Sequence, residues 1–141
     1  MIAISKLRKA MHEIAEKKGE FTLFALVMRA GAPFGNWDLV ASARWLGAGR
    51  IKAIRALVKL LAQSMGEESL KEFSRVEIVD SGDPAVRFVW ENFPVDDGER
   101  RVRNTDLFGL QIEEAIIFRA KKPDKHRNGR PSSAVQLTAG G

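Results

Sequence analysis

The sequence predicts an α+β domain: a single sheet of about five strands, largely antiparallel, with amphipathic helices packed on it. Three observations carry that prediction. Apolar residues recur at helical spacing in three segments; several short segments have strand character, one of them apolar at every position; and Gly, Pro or Asp marks the junctions between them. With 141 residues, 45% apolar and 29% charged, the chain has the size and composition of one globular unit. Residues 1–119 are expected to form that domain and 120–141 a basic, disordered tail.

The first helix is read from Ile4, Leu7, Met11 and Ile14, with Lys6, Arg8, Lys9, Glu13 and Glu16 on its other faces and Gly19 where it stops. Phe21–Met28 is apolar on both parities, which suits a central strand buried on two faces. Gly31–Asn36 breaks the chain, and Trp37–Ala43 resumes as a second strand, making a hairpin with a longer loop. After Gly47-Ala48-Gly49, the positions Ile51, Ile54, Val58, Leu61 and Met65, widened by Leu57 and Leu60, form the stripe of the clearest helix, and Gly66 ends it. A short helical turn over Glu67–Phe73 leads to a strand at Arg75–Asp80. Asp83-Pro84 is a strong helix start, with Asp as N-cap and Pro at the first helical position, followed by Val86, Val89, Trp90 and Phe93. After the Asp96-Asp97-Gly98 turn, Arg100–Asn104 and Gln111–Phe118 read as two closing strands. No repeat of 20 to 50 residues interrupts this order.

Several function classes fall away on composition. The chain has no cysteine, hence no disulfide and no thiolate ligand or nucleophile, and it has two histidines, His12 and His126. No metal site is expected. The N-terminus is charged too early for a secretory signal, and the longest apolar run, Leu23–Met28, is far too short to span a bilayer, so a cytoplasmic protein with no membrane partner is expected. Asp38, Glu77, Asp80, Asp83, Glu113 and Glu114 are the acids a metal-dependent nuclease would draw on. Glu77 and Asp80 fall on opposite parities of one strand, and Glu113 and Glu114 are adjacent, so neither pair converges on one ion. No catalytic residue is assigned: Ser42 and Ser69 have no suitably spaced base, and both histidines fall on solvent-facing segments.

Arg44-Trp45-Leu46-Gly47-Ala48-Gly49-Arg50 lies between a strand and a helix and resembles the R-x-x-G-x-G pyrophosphate loop of the N-acetyltransferases. In such a loop, glycines let the backbone approach while free N–H groups at the helix start converge on phosphate oxygens. The resemblance implies acetyl-CoA held at Arg44, Gly47 and Gly49, in a cleft where the flanking strands splay to admit a pantetheine arm. The general-acid tyrosine common in that family has no counterpart, since the chain contains no tyrosine.

A broader likeness runs through Phe21-Thr22-Leu23-Phe24-Ala25-Leu26-Val27, Trp37 to Leu46, Ser74 to Val79, Asp83-Pro84 and Phe108 to Ile112. These strings resemble a family of short bacterial proteins to which no activity is assigned. That resemblance implies one compact domain over roughly residues 19–118 and names no reaction.

Two candidate surfaces complete the reading. Trp37, Arg44, Trp45, Gly47, Gly49 and Arg50 are the candidate ligand-binding residues, gathered around the second strand and the glycine turn. Lys52, Arg55 and Lys59 share one face of the long helix and, with Lys121, Lys122, Lys125, Arg127 and Arg130, would contact phosphates if nucleic acid binds. The reading that follows is a non-catalytic binding or regulatory module with no cofactor, partnered by a second copy of itself or by another protein. The alternatives are an acetyltransferase-like protein that binds acetyl-CoA and a weak nucleic-acid binder. The net charge of +5 is not spread over the chain: six Lys and Arg from Arg119 onward, against the single Asp124, supply all of it.

Overall fold

The computed structural model describes residues 3–33, 36–47 and 50–123. Helix α1 (Ile4–Lys18) buries Leu7, Ala10, Met11 and Ile14, the stripe that its spacing predicts. It ends at Gly19, whose φ of 128° and ψ of 167° lie in a region that side chains with a Cβ avoid. Strand β1 (Leu23–Arg29) is buried at its first six positions. It lies between β2 (Trp37–Ser42) and β5 (Leu110–Ala120), antiparallel to both. A single 3-10 turn (Arg44–Leu46) follows β2 and leads to α2 (Arg50–Met65), the short α3 (Glu67–Leu70) and β3 (Phe73–Ile78). The sixteen residues of α2 give the chain the length to return and lay β3 parallel to β2. Helix α4 (Pro84–Asn92) and β4 (Arg100–Leu107) complete a five-stranded mixed sheet in the order β3-β2-β1-β5-β4. The fold is thus the α+β arrangement predicted, with one parallel pair among antiparallel ones.

Because β1 is apolar on both parities, both faces of the sheet need cover. On one face Phe24, Leu26, Leu39, Ala41, Ile116 and Phe118 pack under α1 and α2. On the other Leu23, Ala25, Val27, Ile112 and Ile117 pack under Val86 and Val89 of α4. Phe24 and Phe118 are fully buried and meet edge to face, ring centres 6.2 Å apart. Each such side chain contributes roughly 1.5–3 kcal/mol through burial. Asp83 caps α4 as expected, its Oδ1 accepting from Ala85 N at 2.8 Å.

The structure differs from the sequence reading in several places. Ile51, expected in the apolar stripe of α2, is 66% exposed; the buried row is Ala53, Leu57, Leu61 and Met65. Strand β3 is shifted two residues toward the N-terminus: Phe73 pairs with Trp37 and is buried, and the strand ends at Ile78, so Asp80, expected within it, sits in the turn that follows. Strand β4 continues through Leu107, pairing with β5 down to the Phe108-Gly109 turn. Strand β5 runs past Phe118 to Ala120, which exchanges backbone hydrogen bonds with Val95 at 2.9 and 3.0 Å, and Lys121 N then donates to Thr22 O at 3.0 Å.

Gly19 has a second constraint besides its backbone: an added Cβ would stand 3.1 Å from Cδ1 of Trp45. Gly19→Ala is expected to lower stability by roughly 1–3 kcal/mol, read by urea unfolding followed through tryptophan fluorescence.

Candidate functional site

Strands β2 and β3 point the same way, so their carboxyl ends lie side by side. The chain leaving β2 enters α2 on one face of the sheet, and the chain leaving β3 enters α4 on the other. Where adjacent parallel strands send their connections to opposite faces, a crevice opens beyond the strand ends. Here it measures about 550 Å³. Arg44, Gly47 and Arg50 form its wall on the β2 side, and Asp80, Ser81 and Asp83 the wall on the β3 side.

The acidic wall is held by backbone hydrogen bonds. Asp80 Oδ1 accepts from Gly82 N at 2.9 Å, and Asp83 N donates to Asp80 O at 2.9 Å, so the β3–α4 link is a tight turn with both carboxylates fixed at its rim. The basic wall is looser. Arg50 extends from the first residue of α2, and its Nη2 stands 3.9 Å from Glu77 Oε2, an exposed contact worth well under about 1 kcal/mol. Gly47 has an ordinary right-handed conformation, φ −51° and ψ −22°, so its lack of a side chain matters for space: a Cβ would sit 3.3 Å from Arg44 O.

Of the candidate ligand residues, Arg44, Gly47 and Arg50 therefore meet at one crevice. Gly49 lies outside the described residues. Trp37 does not join them: it starts β2 while Arg44 follows its end, about 20 Å along the strand at roughly 3.3 Å per residue. Trp45 turns away from the crevice into a neighbouring groove. The strands do not splay, since β2 and β3 are paired as far as Ala41 and Ile78 and Val79 N donates to Ala41 O at 3.0 Å. No gap for a pantetheine arm exists between them, and the closing hairpin β4/β5 pairs with β1 instead of with β3.

The groove beyond the 3-10 turn has a volume of about 580 Å³ and lies between the end of α1, the turn and the end of β5. Lys18, Arg44, Arg119, Lys121 and Lys122 line it together with Trp45. Arg119 is a structural cation: Nε donates to Phe21 O at 3.1 Å, Nη1 to Asp96 O at 3.0 Å, and Nη2 pairs with Glu20. Lys121 Nζ donates to Asp96 Oδ1 at 3.1 Å. That hydrogen bond and the charge of Lys121, aided by Arg119, hold the Asp96 carboxyl below the usual aspartate value. Lys18 and Lys122 make no ion pair among the described residues, and the buried Trp45 Nε1–H has no acceptor. Lys52, Arg55 and Lys59 all face solvent on α2, while Lys125, Arg127 and Arg130 lie outside the described residues.

One polar cluster escaped the sequence reading, which counted Asp38 only among acids for a nuclease. Asp38 is 2% exposed. Arg29 Nε donates to its Oδ2 at 2.8 Å, and Arg75 Nε stands 3.7 Å from the same oxygen, while Oδ1 has no partner. Asp38 faces Val27 of β1 and Arg75 of β3 across the sheet, so this carboxylate ties three strands together at the end opposite the crevice. No group of three potential metal-binding side chains occurs among the described residues.

Two outcomes follow. Asp38→Ala is expected to destabilise the protein by roughly 1–3 kcal/mol in urea unfolding; both arginines reach water, which keeps the loss below that of a fully buried pair. Because the Asp96 carboxyl is lowered in the folded state, its pairing contributes fully above the ordinary aspartate pKa and is lost as pH falls through the lowered value. Lys121→Ala should raise the Asp96 titration midpoint toward the ordinary value, followed by NMR of the side-chain carboxyl.

Comparison with known proteins adds no relative: no family model, no curated protein and no solved structure matches the chain. The crevice, the groove and the Asp38 cluster stand on their own geometry.

Proposed function

We propose that the protein is a non-catalytic binding or regulatory module whose crevice at the ends of β2 and β3 takes a small phosphate-bearing ligand. The observation that carries this reading is the position of the crevice, at the point where the two parallel strands send their connections to opposite faces. Its chemistry divides in the way such a ligand requires. Arg44 and Arg50 supply cationic hydrogen-bond forks for a phosphate, and the first turn of α2, from which Arg50 and Ala53 line the crevice, adds backbone N–H groups that have no partner within the helix. Asp80 and Asp83 offer carboxylate oxygens on the opposite wall to accept from sugar hydroxyls. The volume of about 550 Å³ suits a nucleotide or sugar phosphate.

Calorimetry with nucleoside monophosphates and sugar phosphates tests the proposal. Binding is expected with the phosphorylated compounds and not with their dephosphorylated forms. Arg50→Glu should weaken it at least tenfold, about 1.4 kcal/mol, without changing the unfolding midpoint. Acetyl-CoA should bind no more tightly than a nucleotide, because the paired strands leave its pantetheine arm in solvent. Absence of heat with every phosphorylated compound at millimolar concentration would reject the reading, and tighter binding of acetyl-CoA than of any nucleotide would replace it with the acetyltransferase-like alternative.

A further inference from the structure

We infer that the groove between the end of α1, the 3-10 turn and the end of β5 is a docking surface for a single strand of nucleic acid. The inference does not depend on the crevice, which lies on the other side of the turn. Five cationic side chains from three distant parts of the chain converge here: Lys18, Arg44, Arg119, Lys121 and Lys122. Glu20 and Asp96 answer Arg119 and Lys121, so these two cations are fixed in place and shape the floor of the groove. Lys18 and Lys122 are exposed and pair with no acid among the described residues. An excess of fixed and free positive charge along a groove matches a phosphodiester backbone.

Two further observations favour a nucleic-acid strand over a compact anion. Trp45 lines the groove, half-buried, and supplies a ring against which a base can lie. In the sequence, the seven residues that follow Pro123, itself a lining residue of the groove, carry Lys125, Arg127 and Arg130 against Asp124, a charge excess that an extended polyanion can use and a small ion does not.

Fluorescence anisotropy of the full chain with a labelled oligothymidine of about twenty nucleotides, at about 50 and 200 mM salt, tests this. Binding should weaken with salt, exceed that of a duplex of equal length, and change the tryptophan emission. Lys18→Glu combined with Lys122→Glu, both on the exposed surface, should lower affinity at least tenfold and reduce the slope of log affinity against log salt by about 1.4, two contacts at about 0.7 each. Nucleotide binding at the crevice and the unfolding midpoint should stay unchanged in that variant. Trp45→Leu, which removes the aromatic face, should weaken the oligonucleotide severalfold. No binding at the lower salt overturns the inference, as does affinity unchanged in the double variant. Equal or tighter binding of polyglutamate or of phosphatidylserine vesicles would overturn it too, by assigning the groove to an acidic protein segment or a lipid surface.

Discussion

The constraint on which the structure depends is the two-sided burial of β1. A strand whose Leu23, Ala25 and Val27 face one way and whose Phe24, Leu26 and Met28 face the other cannot sit at an edge or under a single layer. It must have a strand on each side and helices on each face. Strand β2 takes one side through the hairpin, and β5, the last strand in the chain, takes the other. Helices α1 and α2 cover one face, which leaves the second to α4. The chain therefore has to switch faces at β3, between α2 and α4, and the crevice at the carboxyl ends of β2 and β3 is the result of that switch. The candidate site is thus a consequence of how the core is covered, and its position follows from the same apolar pattern that places the central strand.

Polar groups then secure the two ends of the parallel pair in different ways. At one end Asp38 is sunk in the sheet and held by Arg29 and Arg75, a tie that links β1, β2 and β3. At the other end the carboxylates of Asp80 and Asp83 are fixed by backbone N–H groups at a rim that stays open. Strand β4 closes the far edge of the sheet with Arg100, Arg101 and Arg103 and with Asn104 at a φ of 50°, charge and irregular backbone that discourage pairing with another sheet. The crevice and the basic groove are both left open by this arrangement.

Much of the fold was legible because its signals are local. The two-parity run of β1, the stripe of α1 and the Asp83-Pro84 start of α4 each state their structure within a few residues. Arg44, Gly47 and Arg50 were also legible as a group, since a turn between a strand and a helix is a local pattern. Trp37 was misplaced because closeness in sequence along a strand means distance in space. Ile51 was misplaced because the buried row begins at Ala53, two residues on, which leaves Ile51 on the solvent side of the first turn. The Asp38 cluster and the groove were not legible at all: Arg29 and Arg75 meet Asp38 only once the strand register is set, and Lys18, Arg44 and Arg119 come together only when three distant segments do.

The 3-10 turn between β2 and α2 explains how two openings come to share one wall. Such a turn has three residues per revolution, so successive side chains leave it about 120° apart. Leu46 points inward and is buried in the core under α2, which anchors the turn. Trp45 points toward Gly19 and the groove, where the missing side chain of Gly19 gives the indole its place. Arg44 lies on the rim between them and lines both the crevice and the groove. An α-helical turn at the same place would set neighbouring residues about 100° apart and begin to stack the fourth on the first, and an extended segment would alternate between two directions. The turn thus sends Leu46 to the core and Trp45 to the groove and leaves Arg44 on the rim between the two openings, so they share a wall anchored by a single buried leucine.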